Sequence, residues 1–254
     1  LSGILISGVS FLDDIYTLKS FPRILVQSIS TLIALYFIGG LKVIDFGFFS
    51  TENIILLNVV AFIGIIWFTN LFNFIDGIDG YSSTGAIVIA LTLFFFVKDT
   101  LLLVLALSVL GFLPWNWQKA KIFMGDIGST LLGFTIAVLI INYNNTEQFS
   151  IINGLIITSL FWFDSTVTLI SRFLNKEKLN QAHRKHAYQR IVQAGFSHQK
   201  TVLLAIFINL LLFCFVFLSH QFKTYTSSFL LIVLLLLFLL YKLIGLKTPF
   251  HKLG

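Results

Sequence analysis

The chain has 254 residues, 57% of them hydrophobic and only 11% charged, with a formal net charge of +6 and a mean hydropathy of +0.94. Soluble domains carry roughly 45–50% apolar and about 25% charged residues, so a soluble globular domain and a disordered chain are both excluded and a bilayer is the expected solvent. The single cysteine, Cys214, excludes an internal disulfide framework and a multi-cysteine zinc site. Leu1 already lies in an apolar stretch, so N-terminal sequence is expected to be missing, and no signal peptide is legible.

Crossing the hydrocarbon core takes about 20 mostly apolar residues. After an apolar stub at 1–12, stretches free of Asp, Glu, Lys and Arg fall at 24–41, 53–75, 80–97, 100–118, 127–146, 201–222 and 224–241, and 148–171 is interrupted only by Asp164. These stretches are apolar on every face, as in 231–240, rather than alternating as barrel strands do. The expected fold is therefore all-α: one polytopic transmembrane bundle over 1–254, with about eight spans plus the stub. Fourteen of the seventeen Lys and Arg fall on one side of this topology, leaving Lys42, Lys98 and Lys223 on the other. The positive-inside rule makes the first side cytoplasmic, with loops at 13–23, 73–80, 116–126 and 172–200. The basic charge thus reads as topology, and no nucleic-acid partner is expected.

Seven of the eleven acids lie at or near that side: Asp13, Asp14, Asp76, Asp79, Asp126, Asp164 and Glu177. Carboxylates are costly in membrane segments, and like charges at close range repel. Three separate acidic loops on one face suggest a cation between them, and hard oxygen ligands suit magnesium or manganese.

In chain order, Asp13-Asp14 is an adjacent pair whose carboxylates point in different directions. One can bind a cation or orient a nucleophile, or the pair can simply end a helix in solvent. Asn73, Asp76 and Asp79 are spaced by three, so a helical turn would put them on one side, with Gly77 and Gly80 allowing close backbone approach; the alternative is a glycine-broken helix end with capping acids. In 121–129, Lys121, Asp126, Gly125 and Gly128 precede a span. A helix starting near Gly128 and Ser129 would offer N–H groups to an anion, or Asp126 could cap it. His183, Arg184, Lys185, His186 and Arg190 form a phosphate-binding cluster. The two histidines could instead hold a metal, and an inside-positive loop explains the lysines but not the histidines. Asp164 lies within a span, eight residues before Arg172, and reads as a structural salt link or as a partner for a cationic group.

These segments, in this order, resemble the polyprenyl-phosphate N-acetylhexosamine-1-phosphate transferases, a superfamily that includes the enzyme making the first lipid intermediate of peptidoglycan. Leu12-Asp13-Asp14 is similar to its acid-pair loop, 73–80 (NFIDGIDG) to its N-x-x-D-G-x-D-G loop, and 121–133 to its F-M-G-D-x-G-S segment. Asn116 fits an asparagine often found there, and Asp164-Ser165 with Arg172 resembles a D-T…R helix. Two departures stand out. His183-Arg184-Lys185-His186-Ala187-Tyr188-Gln189 replaces a histidine run and is similar to an O-antigen and capsule branch. About two further spans usually precede the acid pair.

The resemblance implies that polyprenyl (undecaprenyl) phosphate attacks the β-phosphorus of a UDP-sugar of N-acetylhexosamine type, releasing UMP, at the cytoplasmic face of a bacterial inner membrane. Within it, Asp126 is the expected main Mg2+ (or Mn2+) ligand, with Asn73 the second. Arg184 and His186, with His183, hold phosphate oxygens. Asp79 and Phe123 lie near the uracil, with Asn116 and Lys121 on the substrate side. Asp13 and Asp14 orient or deprotonate the lipid phosphate, and Asp76 is an alternative nucleophile in a two-step route. A homodimer is compatible with this reading. The competing readings are an ion- or proton-coupled transporter and an inactive, truncated relative.

Overall fold

A computed structural model of the chain describes residues 1–179, 181 and 183–250. Among these described residues, ten α-helices run in the order α1 (Ser2–Tyr16), α2 (Ser20–Ile38), α3 (Ile54–Ile75), α4 (Tyr81–Val97), α5 (Thr100–Asn116), α6 (Gly125–Asn145), α7 (Ile151–Leu174), α8 (Ala187–Gln193), α9 (His198–Gln221) and α10 (Thr226–Lys247). Each of the eight expected spans is a helix, and the chain is an all-α polytopic membrane bundle. Six helices, α2, α3, α6, α7, α9 and a Lys223–Lys247 unit containing α10, are long and apolar enough to cross a bilayer. The two shorter ones, α4 and α5, have 17 residues each, about 26 Å at 1.5 Å per residue, the lower limit for a span.

Polar residues set where the helices begin. Asn53 accepts from the Leu56 N–H before α3, Asp99 from Leu101 before α5, Ser150 from Asn153 before α7, and Ser197 from Lys200 before α9. Each bond satisfies an amide that the helix leaves unpaired, so these short polar segments fix the register of each entry. At its other end α3 stops at Ile75 because Asp76 leaves helical dihedrals (ψ 51°).

Packing divides the bundle into two apolar cores. One joins Ile6 of α1, Ala34 and Leu35 of α2, Ala61 and Ile65 of α3 and Phe134 of α6. The other surrounds α4, whose residues 81–87 are all buried, and takes in Phe72, Ile156, Phe161, Val202 and Val216. Interhelical hydrogen bonds tie the apolar faces together: Ser10 to Thr130 at 2.7 Å, Asn70 to Gln27 at 2.7 Å, and Ser219 to Asn153 at 2.6 Å. Such bonds contribute roughly 0.6–2 kcal/mol each in a bilayer. By contrast, only 11% of the α10 window is buried, and its leucine-rich surface faces outward, where lipid would lie.

Three boundaries differ from the sequence expectation. Asp13 and Asp14 are not in a loop: the stub continues as α1 through Tyr16, and only 17–19 link it to α2. α6 begins at Gly125 rather than near Gly128, placing Asp126 in its first turn. The long polar loop at 172–200 is shortened by α7 at one end, α9 at the other and α8 between them. At the opposite end of the bundle, Ile44–Asp45 and Ser50–Thr51 form a small antiparallel hairpin that the sequence did not reveal.

Candidate active site

The loops joining α1 to α2, α3 to α4, α5 to α6 and α7 to α9 meet at one end of the bundle, held by contacts between residues far apart in sequence. Asp13, 6% exposed, accepts from the Leu18 N–H and from Arg23 Nη1, both at 2.6 Å. The same Nη1 lies 3.5 Å from the Asp126 carboxylate, and the Asp13 and Asp126 carboxyl groups are themselves within hydrogen-bonding reach. Two carboxylates so close require a cation or a shared proton, and Arg23 supplies positive charge between them. Asp14 turns the other way. Its two oxygens accept from the Asp126 N–H (3.0 Å) and the Ile127 N–H (3.3 Å). The expected divergence of the acid pair therefore holds. The free amides at the start of α6, expected to receive an external anion, are instead filled by Asp14, and Asp126 does not cap the helix.

Asn73 completes this cluster from α3. Its side chain lies within reach of the Asp126 carboxylate, and its Oδ1 accepts from the Ser129 hydroxyl at 2.6 Å. The expected common face for Asn73, Asp76 and Asp79 does not form, because α3 ends between the first two. Asp76 turns back to accept from Ser82, and burial pushes its carboxyl up to about 6 against that hydrogen bond. Asp79 points to the α5–α6 loop and the start of α9, accepting from the Ala120 N–H at 3.3 Å and lying 3.3 Å from His198 Nδ1. Immediately after Asp79, Gly80 opens α4 with a φ of +76°, which favours glycine. Only two of the three acidic loops thus converge, through Asp13 and Asp126, with the third contributing Asn73.

The substrate-side expectations separate in the same way. Asn116 is buried with its amide engaged: Oδ1 accepts from the Gly80 N–H and the Ser83 hydroxyl, and Nδ2 donates to the Ile122 carbonyl. It joins two loops rather than facing a ligand. The Lys121 ammonium rests over the Trp115 ring at 5.5 Å. Phe123 is 73% exposed and free to meet a planar group.

The basic cluster is also sorted by its contacts. Arg172, 2% exposed, binds Glu177 at 3.1 Å and the carbonyls of Lys178, Leu179 and Gln181. Lys185 binds Glu177 at 2.8 Å, and this hydrogen bond, with the guanidinium beside it, holds the Glu177 carboxyl below the usual range. Arg190 is turned to the Thr248 carbonyl at the end of α10. Arg184 is exposed, and its guanidinium makes no hydrogen bond or ion pair among the described residues. Burial lowers both His183 and His186 to about 4, so near pH 7 they are neutral imidazoles rather than the cations expected for charge-assisted phosphate binding. Asp164 forms no pair with Arg172. Its Oδ1 accepts from the Ala187 N–H at 2.8 Å and the Thr168 hydroxyl at 3.3 Å, and Oδ2 lies 4.0 Å from His186 Nδ1. It fixes α8 to α7. Ala182, within the basic segment, lies outside the described residues.

Arg23, His198 and Tyr188 were not singled out by the sequence. Arg23 counted only as topology charge, although a cation ten residues beyond an acid pair on the next helix was a usable signal. His198 and Tyr188 carry no local motif that points to the acidic loop.

Among the described residues, no three His, Cys, Asp or Glu side chains are grouped to hold a metal by themselves. Magnesium needs less, binding through one or two carboxylates together with substrate phosphates. Asp126 and Asn73, with Asp13 alongside, offer oxygen donors of that kind, and the positive charge of Arg23 between two carboxylates marks where a cation is favoured. The donor set fits.

Residues 1–144 match the profile of glycosyl transferase family 4. The chain belongs to glycosyl transferase family 4. Its relatives within the family include a probable undecaprenyl-phosphate N-acetylglucosaminyl 1-phosphate transferase of Bacillus subtilis, 31% identical over 250 residues that cover 92% of this chain and 68% of the relative. A decaprenyl-phosphate N-acetylglucosaminephosphotransferase of Mycobacterium leprae is 26% identical, covering 80% and 59%. A phospho-N-acetylmuramoyl-pentapeptide-transferase of Thermotoga petrophila is 29% identical, covering 80% and 70%. The family 4 chain therefore spans about three fifths to two thirds of the length of these relatives. The acid-pair, N-x-x-D-G-x-D-G and F-M-G-D-x-G-S segments all lie within the matched 1–144, and the basic loop lies beyond it.

Proposed function

We propose that this protein transfers an N-acetylhexosamine 1-phosphate from a UDP-sugar to a polyprenyl phosphate and releases UMP. An oxygen of the lipid phosphate forms a bond to the β-phosphorus, the bond from that phosphorus to the bridging oxygen breaks, and the electron pair leaves on UMP. Phosphoryl transfer depends on positioning and charge neutralisation more than on covalent chemistry by the protein. The observation that carries the reading is the convergence of Asp13 and Asp126 on Arg23, with Asn73 beside Asp126, at the end of the bundle where the exposed Arg184 lies. The family and the names of its relatives support the same class of reaction.

Asp126 and Asn73 would hold a magnesium ion, which neutralises diphosphate charge when bound. Asp13, already bonded to Arg23, orients the incoming lipid phosphate. A phosphate monoester has its second pKa near 6, so near pH 7 orientation matters more than proton removal. Arg184 pairs with diphosphate oxygens, while neutral His183 and His186 offer hydrogen bonds without charge. Phe123 and Asp79 flank the base. The excess of Lys and Arg that the sequence puts in the loops of this side supports a cytoplasmic site at a bacterial inner membrane, where nucleotide sugars are available. The basic loop favours N-acetylglucosamine or a 6-deoxy relative as the sugar, for the first step of a surface glycan such as an O-antigen.

The test uses membranes containing the full-length protein, radiolabelled UDP-N-acetylglucosamine, undecaprenyl phosphate and magnesium. Label entering the lipid phase with stoichiometric UMP, lost on adding EDTA, is the expected result. Product only with a 6-deoxy donor would keep the class and change the sugar. No UMP from any UDP-sugar would overturn the proposal.

A further inference from the structure

Tyr188 joins the start of α8, just after the basic loop, directly to the acidic loop beneath it. It is 2% exposed, and its ring lies between Tyr81, stacked at 4.7 Å, and His186, stacked at 5.8 Å. The hydroxyl donates to the Phe74 carbonyl at 3.2 Å and also faces the Gly77 N–H. It therefore holds the last turn of α3, one residue after Asn73, and lies against Gly77 just beyond Asp76. Gly77 is the matching half of the contact. A methyl group there would overlap the Tyr188 hydroxyl and press on Gln189 Nε2 at 3.0 Å. The phenol cannot step aside, because it is buried between two rings and α8 is fixed to α7 through Asp164 and the Ala187 N–H.

We infer that Tyr188 is a positioning residue: it sets the spacing between the loop that carries Arg184 and the loop that carries Asn73 and Asp76, with Gly77 retained to receive its hydroxyl. This rests on the transferase reading for its catalytic consequence, and on the geometry alone for its structural one. Tyr188 does not reach the reacting atoms. The Arg172 network and Asp164 hold the basic loop independently. Loss of the hydroxyl should therefore slow turnover without weakening nucleotide binding.

The experiment combines a double-mutant cycle with a distance measurement on the full-length protein. Tyr188→Phe keeps the stack and removes the hydroxyl; we expect kcat to fall about tenfold with the KM for UDP-N-acetylglucosamine within about twofold. Gly77→Ala should lower kcat about a hundredfold, since displacements of about 1 Å can cost that much. Adding Tyr188→Phe to Gly77→Ala should recover most of that loss, because what then remains is the end of the flexible Gln189 side chain at 3.0 Å and a ring carbon at 3.2 Å. Contacting residues couple in this way, and independent ones do not. In a Cys214→Ser background, nitroxides at Phe74→Cys and Gln193→Cys should give a narrow distance distribution that Tyr188→Phe broadens. An unchanged kcat in Tyr188→Phe, or simple additivity in the cycle, would overturn the inference even if the wild type turns over. Absence of UMP release from the wild type would sink the transferase reading instead. The distance distribution would then decide alone: unchanged by Tyr188→Phe, it removes the spacing role as well; broadened, it retains that role without the reaction.

Discussion

Arg172 offers the most direct test of how the basic loop is built. Its guanidinium is buried at the end of α7 and makes bonds to Glu177 at 3.1 Å, Lys178 O at 2.5 Å, Gln181 O at 3.2 Å and Leu179 O at 3.3 Å. Arg172→Met keeps an unbranched apolar stem and removes all four. Charge-assisted bonds contribute roughly 1.5–3 kcal/mol each when fully enclosed, but Lys178, Leu179 and Gln181 are exposed, so water replaces part of what is lost. Glu177 also keeps Lys185 at 2.8 Å. A net loss of about 3 kcal/mol follows, at the low end for breaking a buried pair. For a chain of this size that corresponds to a fall of about 6–12 °C in Tm, read by thermal melting in detergent. The UDP-sugar KM should rise about tenfold, because Arg184 loses its fixed base. Glu177→Gln should cost only about 1 kcal/mol, since the three carbonyl bonds remain. An Arg172→Met protein with wild-type Tm and KM would refute the idea that this guanidinium organises the loop.

Four further outcomes follow from the site. Asp126→Asn should lower turnover at least about a hundredfold and shift the magnesium dependence to higher concentration; wild-type kinetics would remove Asp126 from the metal assignment. Arg23→Ala leaves Asp13 and Asp126 facing each other without a cation, so kcat should fall about tenfold or more and recover in part as magnesium is raised, in a titration that the wild type does not need. Arg184→Ala should raise KM about tenfold with Tm unchanged, because the guanidinium bonds nothing among the described residues; an unchanged KM would make this arginine a topology charge only. His186 has its folded pKa lowered from 6.5 to about 4, chiefly by burial and then by the Arg172 charge. Asp164 at 4.0 Å opposes this but is already engaged by Ala187 and Thr168. Between pH 4 and 6.5 the unfolded chain binds the extra proton, so stability is full above 6.5 and is lost as pH falls toward 4, by at most about 3 kcal/mol. His186→Phe should flatten that slope in melting curves, and parallel wild-type and variant curves would contradict the burial argument.

The spans were legible because helices in lipid must be apolar over their full length, a pattern carried by single residues and independent of partners. The acid pair was legible for the same reason: adjacent side chains on any backbone diverge, and Asp13 and Asp14 do. What failed was register across a helix end. Equal spacing of Asn73, Asp76 and Asp79 implies one face only while the helix continues, and α3 stops at Ile75, so Asp76 goes to Ser82 and Asp79 to His198. Charge was similarly misread in the basic segment. Sequence reports that Arg172, Lys185, Arg190, His183 and His186 are basic, but not that Glu177 and backbone carbonyls consume the first two, that Thr248 consumes the third, or that burial keeps the histidines neutral.

The pairing pattern also separates scaffold from working groups. Arg172, Lys185, Arg190, Asp14, Asp164 and Asn116 each have their polar atoms engaged by the fold itself, and using them on a substrate would break what positions the loops. Arg184 and Phe123 are exposed at the mouth of the site. Asp13, Asn73 and Asp126 are held but crowded, with two carboxylates sharing one guanidinium. Crowded carboxylates are the groups whose energy falls most when a further cation arrives. Under the proposed reaction, a divalent ion arriving with a diphosphate would relieve a repulsion already present in the free protein, so substrate charge and protein charge would be complementary rather than merely adjacent.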